Sequence, residues 1–227
     1  MERRDRSWDV IRQRRARLAL ARQPSRDLIL LVADKDIDYG LRGLLSRPRA
    51  LGIRKIDAQT FVHPRRDPGC VREAHDFLRQ FTSQFSHAVV VFDYQGSGRG
   101  DVSSVELAAQ VRDRLSASGW GERAEAIAIN PELEAWVFSA SPNVEECLGW
   151  PKHRGRLRPW LERQKLWAEG HSKPLDPRAA LERALFEAQR PRSAAIYECL
   201  GKRVGLKGCR DEAFQKLKLT LSDWFSA

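Results

Sequence analysis

The sequence predicts an α/β fold in which a mostly parallel sheet is flanked by helices. Short, continuous apolar runs are typical of strands that are buried on both faces of a parallel sheet. Segments with helical spacing separate these runs, and strand and helix alternate four times along the chain. Hydrophobic residues make up 42% of the 227 residues, which is enough apolar material for a buried core.

The four predicted strands lie in the first 130 residues. Residues 28–32 and 88–92 are consecutive apolar runs, and the second of these runs ends on Asp93. Apolar and polar residues alternate sufficiently over 53–62 to predict the second strand, and residues 124–129 are predicted to form the fourth. Their continuous or near-continuous apolar character favours a sheet covered by helices on both faces.

Helical spacing predicts the connections between these strands. The first helix is predicted around residues 41–45, the second over 69–85, and the third over 105–115. A further helix is predicted over 132–138, after the fourth strand. Such connections allow successive strands to run parallel.

Composition changes divide the chain into three predicted parts. Residues 1–24 form a basic N-terminal helix, and residues 25–150 form the α/β domain. Residues 151–227 form a basic segment followed by C-terminal helices.

The charge and hydropathy patterns favour a cytoplasmic protein with an anionic partner. The chain has 40 Lys and Arg residues against 30 Asp and Glu residues, a formal net charge of +10. This excess is compatible with nucleic acid as a partner. No apolar run approaches the roughly 18 residues that span a membrane. The arginine-rich N-terminus also lacks the apolar stretch of a signal peptide, and we expect no membrane partner.

The four cysteines predict neither a zinc site nor a disulfide framework. Cys70, Cys147, Cys199 and Cys209 are far apart and form no CxxC pair. We therefore expect buried free thiols. The five histidines likewise show no metal-ligand spacing.

Acidic side chains follow three of the predicted strands. Asp34 and Asp36 follow the first, Asp93 ends the third, and Glu132 and Glu134 follow the fourth. For any one of these acids, helix capping or solvation is the better explanation. Because parallel strands share one carboxyl edge, however, the acids are expected to converge there. Carboxylates that converge in this way suit Mg²⁺, which can activate water and stabilise a phosphate.

Basic residues near this edge and beyond it are candidate phosphate contacts. They are Lys35, Arg99, Lys152, Arg154, Arg156 and Arg158. Arg99 lies in a glycine-rich loop over 95–100 whose spacing does not match a nucleotide-binding fingerprint. The basic segment covers residues 151–165. Trp160 within it and Trp167 just after it either stack on unpaired bases or pack against the C-terminal helices.

Three stretches of the sequence resemble a known group of proteins. They are VADKDIDYGLRGLL, HAVVVFDYQGSG and NPELEAWVFS. Their order is similar to the Toprim fold of topoisomerases, primases and old-type nucleases. More closely, the chain resembles Toprim-like families of bacterial anti-phage systems, which include the domain-of-unknown-function group 4276 and the RloB-type tRNA-cleaving nucleases. The most specific resemblance, over about residues 27–225, is to the small Toprim-like subunit of methylation-associated defence systems.

The resemblance implies a Mg²⁺-dependent nuclease, a phosphodiester hydrolase acting on DNA or RNA in antiviral defence. Its catalytic residues would be Asp34, Asp36, Asp93 and Glu134, of which Asp34, Asp93 and Glu134 would hold the metal. Toprim proteins usually place a Glu after the first strand and a DxD pair after the third. Here Ala33 and Gln95 stand at two of these acidic positions.

These two departures keep other functions open. One alternative is a catalytically degenerate subunit that binds nucleic acid, or that scaffolds or regulates partner enzymes of the defence system. Apart from these departures, the basic charge also leaves open a DNA-binding module whose affinity falls steeply with salt.

Overall fold

A parallel sheet forms the centre of the molecule. The computed structural model describes residues 24–139, 141–206 and 208–227, and the predicted helix over 1–24 lies outside them except for its last residue. Within the described residues the sheet has four parallel strands in the order β2-β1-β3-β4. The strands are β1 (Arg26–Val32), β2 (Ala58–Val62), β3 (Phe85–Asp93) and β4 (Ala124–Ile129). The predicted α/β class is confirmed.

The predicted strand bounds are accurate for β4 but too long for β2. Residues 53–57 precede β2 and are not part of it. Ile53 instead forms an isolated antiparallel bridge with Ser226, near the C-terminus of the chain. Asp57 pairs through its carboxylate with Arg26, at an N–O distance of 2.8 Å. The apolar Ile53 therefore belongs to a tertiary contact that sequence periodicity does not distinguish from a strand.

Helices cover both faces of the sheet. In the described residues they are α1 (Lys35–Leu45), α2 (Pro48–Leu51), α3 (Arg66–Arg79), α4 (Ser104–Leu115), α5 (Glu134–Val137), α6 (Asn143–Leu148), α7 (Leu157–Arg163), α8 (Pro177–Glu187), α9 (Ala194–Arg203) and α10 (Glu212–Phe225). The helix predicted over 69–85 begins earlier, at Arg66, and ends at Arg79, and Phe85 already belongs to β3.

Polar side chains fix where several helices begin. Asp34, Ser103, Asp176 and Asp211 each accept a hydrogen bond from a backbone N–H in the first turn that follows them. Such capping satisfies a backbone donor that would otherwise have no partner at the helix N-terminus. The acid after β1 is therefore also the start signal for α1.

The C-terminal helices share one hydrophobic core with the sheet. Leu30 and Val90, on the two central strands, are buried, as are Leu181 on α8 and Leu217 on α10. Packing of this kind joins the region after residue 150 to the α/β unit. The C-terminal region can therefore place side chains at the sheet edge.

Helix α9 lies unusually close to α1. A Cβ atom on Gly43 of α1 would lie 2.5 Å from the carbonyl oxygen of Glu198 and 3.0 Å from the Cα atom of Gly201, both on α9. Real Cβ atoms do not approach backbone so closely, so glycine is required at this crossing. The close approach carries Tyr197 of α9 to the end of the sheet.

The prediction of free thiols is wrong for two of the four cysteines. Cys147 on α6 and Cys199 on α9 form a disulfide, with Cα atoms 5.7 Å apart. They are separated by 52 residues in sequence, so only the packing of α6 against α9 reveals the pair. Cys70 is a buried free thiol as predicted, and Cys209 is a partly buried one.

None of the helices in the described ranges combines the length and the apolar character that crossing a membrane requires.

Candidate metal centre

Three carboxylates converge at the carboxyl edge of the sheet. Asp93 is the last residue of β3, and Glu132 and Glu134 follow β4, which pairs with β3 in parallel register. One oxygen from each of the three lies within 4.8 Å of the others. Glu132 and Glu134 are 7% and 1% exposed. All donors are carboxylate oxygens, so the group can hold a hard metal ion.

Asp93 lies at the centre of the acidic group. Its Oδ1 atom accepts a hydrogen bond from the backbone N–H of Leu133, at 2.9 Å. Burial raises the pKa of Asp93 to about 9, and the neighbouring charges of Asp67, Glu134, Asp34 and Glu132 act in the same direction. The charged neighbours that shift this pKa most are all acids. A cation bound at Asp93 would therefore relieve an unfavourable concentration of negative charge.

Asp67 is a further acid beside Asp93, and sequence reasoning did not identify it. It lies near the start of α3, and its Oδ1 atom accepts a 2.7 Å hydrogen bond from the backbone N–H of Asp93. A Cβ atom on Gly96 would clash with its carboxylate, so glycine at that loop position leaves space for Asp67. Burial raises the pKa of Asp67, although its hydrogen bond with Asp93 opposes this shift. The sequence signal was present, because Asp67 follows the second predicted strand by five residues.

Glu134 is held by two residues from the C-terminal region. Its Oε1 atom accepts a 2.7 Å hydrogen bond from the hydroxyl of Tyr197 and lies 2.6 Å from a guanidinium nitrogen of Arg192. Burial and the charge of Glu134 raise the pKa of Tyr197, which keeps its hydroxyl protonated as a donor. Sequence reasoning did not assign either partner to the site, because they lie about 60 residues further along the chain.

The other acids at this edge have different roles. Asp36 accepts hydrogen bonds from the Arg192 guanidinium at 2.9 and 3.2 Å. Glu132 lies 3.4 Å from Arg178 of α8, while burial and Glu134 raise the pKa of Glu132 against the effect of this arginine. Asp34 caps α1 by accepting from the backbone N–H of Ile37 at 2.9 Å. It affects the pKa of Asp93 but lies outside the group of three.

The structure thus places all four predicted catalytic acids at one edge. The tight group is the set of three acids whose oxygens lie within 4.8 Å of one another. Two of the three predicted metal ligands, Asp93 and Glu134, belong to it. Its third member is Glu132 and not the predicted Asp34.

Two of the predicted phosphate contacts lie on segments that follow β1 and β3. Lys35 is the exposed first residue of α1, directly after Asp34. Arg99 follows the left-handed Gly98, and its guanidinium pairs with Asp101 at 2.7 Å. Lys35 is exposed and Arg99 is partly exposed.

The basic segment is largely ion-paired. Lys152 is exposed at the start of a short 3₁₀ turn. The other cations pair as Arg154–Glu187, Arg156–Glu145 and Arg158–Glu162, at 2.6, 2.9 and 3.1 Å. These arginines are half or more exposed, so each pair contributes only about 0–1 kcal/mol. Phosphate oxygens would be able to replace such weakly held acids.

Trp160 and Trp167 pack in the interior. They are 6% and 5% exposed, and their rings contact Trp150 and Phe138. Of the two roles considered from sequence, packing is the one observed. Neither ring presents the open face on which an unpaired base would stack.

No family model matches this chain, and no curated protein or solved structure shows a significant similarity to it.

Proposed function

We propose that the protein is a Mg²⁺-dependent phosphodiesterase that cleaves DNA or RNA. The observation that supports this most strongly is the convergence of carboxylate oxygens from Asp93, Glu132 and Glu134 at the carboxyl edge of a parallel sheet. Ligands of open α/β sheets bind at this edge. An all-oxygen donor set that includes buried acids suits Mg²⁺ better than it suits a softer metal.

Each acid at the edge has a distinct task in this proposal. Asp93, Glu132 and Glu134 hold the ion, which when bound supplies an activated water and positive charge at the phosphate. Asp34 and Asp67 add negative charge beside Asp93 and so favour a divalent cation. Asp36 and Tyr197 orient the groups around Glu134.

The surface cations provide the contacts with nucleic acid. Lys35 and Arg99 lie on the segments that follow β1 and β3, and Lys152, Arg154, Arg156 and Arg158 add further positive charge at the surface. Contacts of this kind bind the backbone regardless of base sequence and weaken as salt rises. The sequence resemblance supports a role in antiviral defence, alongside other subunits of the same system, and a cytoplasmic location is part of the proposal.

Cleavage assays on end-labelled DNA and RNA test this function. We expect wild-type cleavage to need Mg²⁺ or Mn²⁺ and to stop on chelation. Glu134→Gln removes a ligand charge and should lower the rate by at least about 100-fold. Asp113→Asn is the matched control, since Asp113 is an exposed acid on α4 whose ion-pair partner among the described residues is its neighbour Arg112. Equal rates in wild type and Glu134→Gln would overturn the proposal.

A second function, that of a non-catalytic subunit, is favoured by a specific observation. Two of the three acids in the tight group already have arginine partners, Arg192 at Glu134 and Arg178 at Glu132. Ala33 and Gln95 also replace acids that Toprim-like enzymes use. This alternative predicts no tight Mg²⁺ binding and a stable complex with a larger defence protein. A stoichiometric Mg²⁺ site that is lost in Asp93→Asn would count strongly against it.

A further inference from the structure

Arg192 bridges acids that follow two different strands. It lies on the short segment between α8 and α9, and its side chain reaches back to the sheet edge. One guanidinium nitrogen is 2.6 Å from Glu134 and 2.9 Å from Asp36, and a second nitrogen also donates to Asp36. The guanidinium therefore links the acid after β4 with the acid after β1.

The position of this guanidinium is one where a positive charge is needed. Glu134 is only 1% exposed and faces Asp93 and Glu132. A buried carboxylate beside other acids is costly unless a counter-charge compensates it. Arg192 supplies that charge, and the hydroxyl of Tyr197 supplies a hydrogen bond to the same Oε1 atom.

We propose that Arg192 is a built-in counter-ion that competes with the divalent cation for Glu134. This inference rests on the proposed metal site and concerns how that site is regulated. In the metal-free protein the guanidinium neutralises Glu134. When a cation binds, Glu134 turns its charge to the metal and its ion pair with Arg192 weakens.

The structure provides a place for the displaced guanidinium. About a third of the Arg192 side chain is exposed, at 32%, and Asp36 is 20% exposed. Asp36 can therefore retain the guanidinium at the mouth of the site after Glu134 has released it. From there its planar guanidinium would be able to donate two hydrogen bonds to the oxygens of a bound phosphodiester.

Arg178 forms a similar but weaker ion pair with Glu132, another acid of the site. It lies 3.4 Å from Glu132, is 56% exposed, and also pairs with Glu182 on its own helix. Because exposure and a second acid reduce its effect on Glu132, we expect Arg178→Gln to change metal affinity less than Arg192→Gln does.

Calorimetric titration with MgCl₂ and MnCl₂ at fixed ionic strength tests the competition. We expect Arg192→Gln to lower the dissociation constant of the metal on the order of tenfold relative to wild type. Arg192→Lys keeps the charge but makes fewer contacts and should fall between the two. Arg203→Gln is the matched control, because Arg203 also lies in the α9 region but pairs with Glu146 instead of a site acid. It should bind metal as wild type does.

The outcomes separate the inference from the function on which it rests. Equal or weaker metal binding by Arg192→Gln, with normal binding by wild type, would overturn the competition and leave the metal site standing. Absence of metal binding in wild type and in Arg192→Gln would overturn the inference and the proposed function together.

A measurement on wild type covers the case in which the variant does not fold. The Nε–H resonance of Arg192 should shift on addition of Mg²⁺, and an unchanged resonance at saturating Mg²⁺ would contradict the inference.

Discussion

Replacing Asp93 with asparagine is expected to abolish metal-dependent cleavage while making the metal-free protein more stable. Asparagine keeps an oxygen that can accept from the backbone N–H of Leu133. It removes a carboxylate that is buried among other acids and that is needed to hold the cation. A gain in stability together with a loss of activity is characteristic of a residue retained for function.

The stability gain should depend on pH in a defined direction. Burial raises the pKa of Asp93 from 3.8 in the unfolded chain to about 9 in the folded protein. The stabilising effect of protonation is fully present below about pH 4 and is lost as pH rises toward 9. The free energy of unfolding of Asp93→Asn should therefore exceed that of wild type increasingly over this window. We expect a difference of about 1 kcal/mol or more at pH 8.

Urea or thermal unfolding at several pH values, with and without Mg²⁺, measures both effects. A gain of 1 kcal/mol corresponds to a rise in Tm of about 2–4 °C for a chain of this size. Mg²⁺ should raise the Tm of wild type and leave that of Asp93→Asn unchanged. Asp113→Asn should follow wild type throughout. A stability difference between Asp93→Asn and wild type that does not change with pH would contradict the assigned environment of Asp93.

Gly201→Ala is expected to disturb the packing of α9 against α1. The added methyl group would clash with the carbonyl oxygen of Gly40 and lie 2.9 Å from the backbone nitrogen of Leu44. Both contacts are with backbone atoms, so one helix must shift. Overpacking of this kind costs about 1–3 kcal/mol, which outweighs the better helix propensity of alanine. We expect the Tm to fall by several degrees and cleavage to fall as Tyr197 moves away from Glu134.

Gly40→Ala provides a matched control for this prediction. Gly40 lies on α1 at the same interface, but the nearest atom that its added methyl group would meet in the described part of the chain is the Cβ atom of Tyr197, at an ordinary 3.8 Å. This variant should be as stable as wild type or slightly more so, because alanine favours the helix. If Gly201→Ala and Gly40→Ala had the same stability, the close approach of the two helices would be wrong.

The fold was predictable because its central strands carry an unambiguous pattern. Continuous apolar residues in β1 and β3 correctly indicated parallel strands that are buried on both faces. The errors occurred where tertiary contacts determine the outcome. Ile53 was assigned to a strand although it pairs with Ser226, and Cys147 finds Cys199 only through helix packing.

The candidate site was predictable only as far as the strand ends determine it. Acids that follow parallel strands must meet at one edge, which correctly brought Asp93 and Glu134 together. Arg192 reaches that edge from the segment between α8 and α9, and Tyr197 reaches it from α9, and neither position follows a strand end. Asp67 follows the same strand-end rule but lies one turn after a weak strand, so it was missed.

The basic segment shows a different limit of sequence reasoning. A run of cations indicates a positive surface, but not which acids lie across from it. Arg154 forms an ion pair with Glu187, and Arg156 forms one with Glu145. The local excess of positive charge is therefore smaller than the sequence suggests.

The most direct test of the account is the location of a bound metal in a crystal of the protein soaked with Mn²⁺. Anomalous diffraction should show one strong peak within about 2.0–2.4 Å of carboxylate oxygens from Asp93 and Glu134, with Glu132 beside it. The Arg192 guanidinium should have moved away from Glu134 in the same crystal. An occupied Mn²⁺ site elsewhere on the surface, with this edge empty and Arg192 still paired to Glu134, would contradict the central claim.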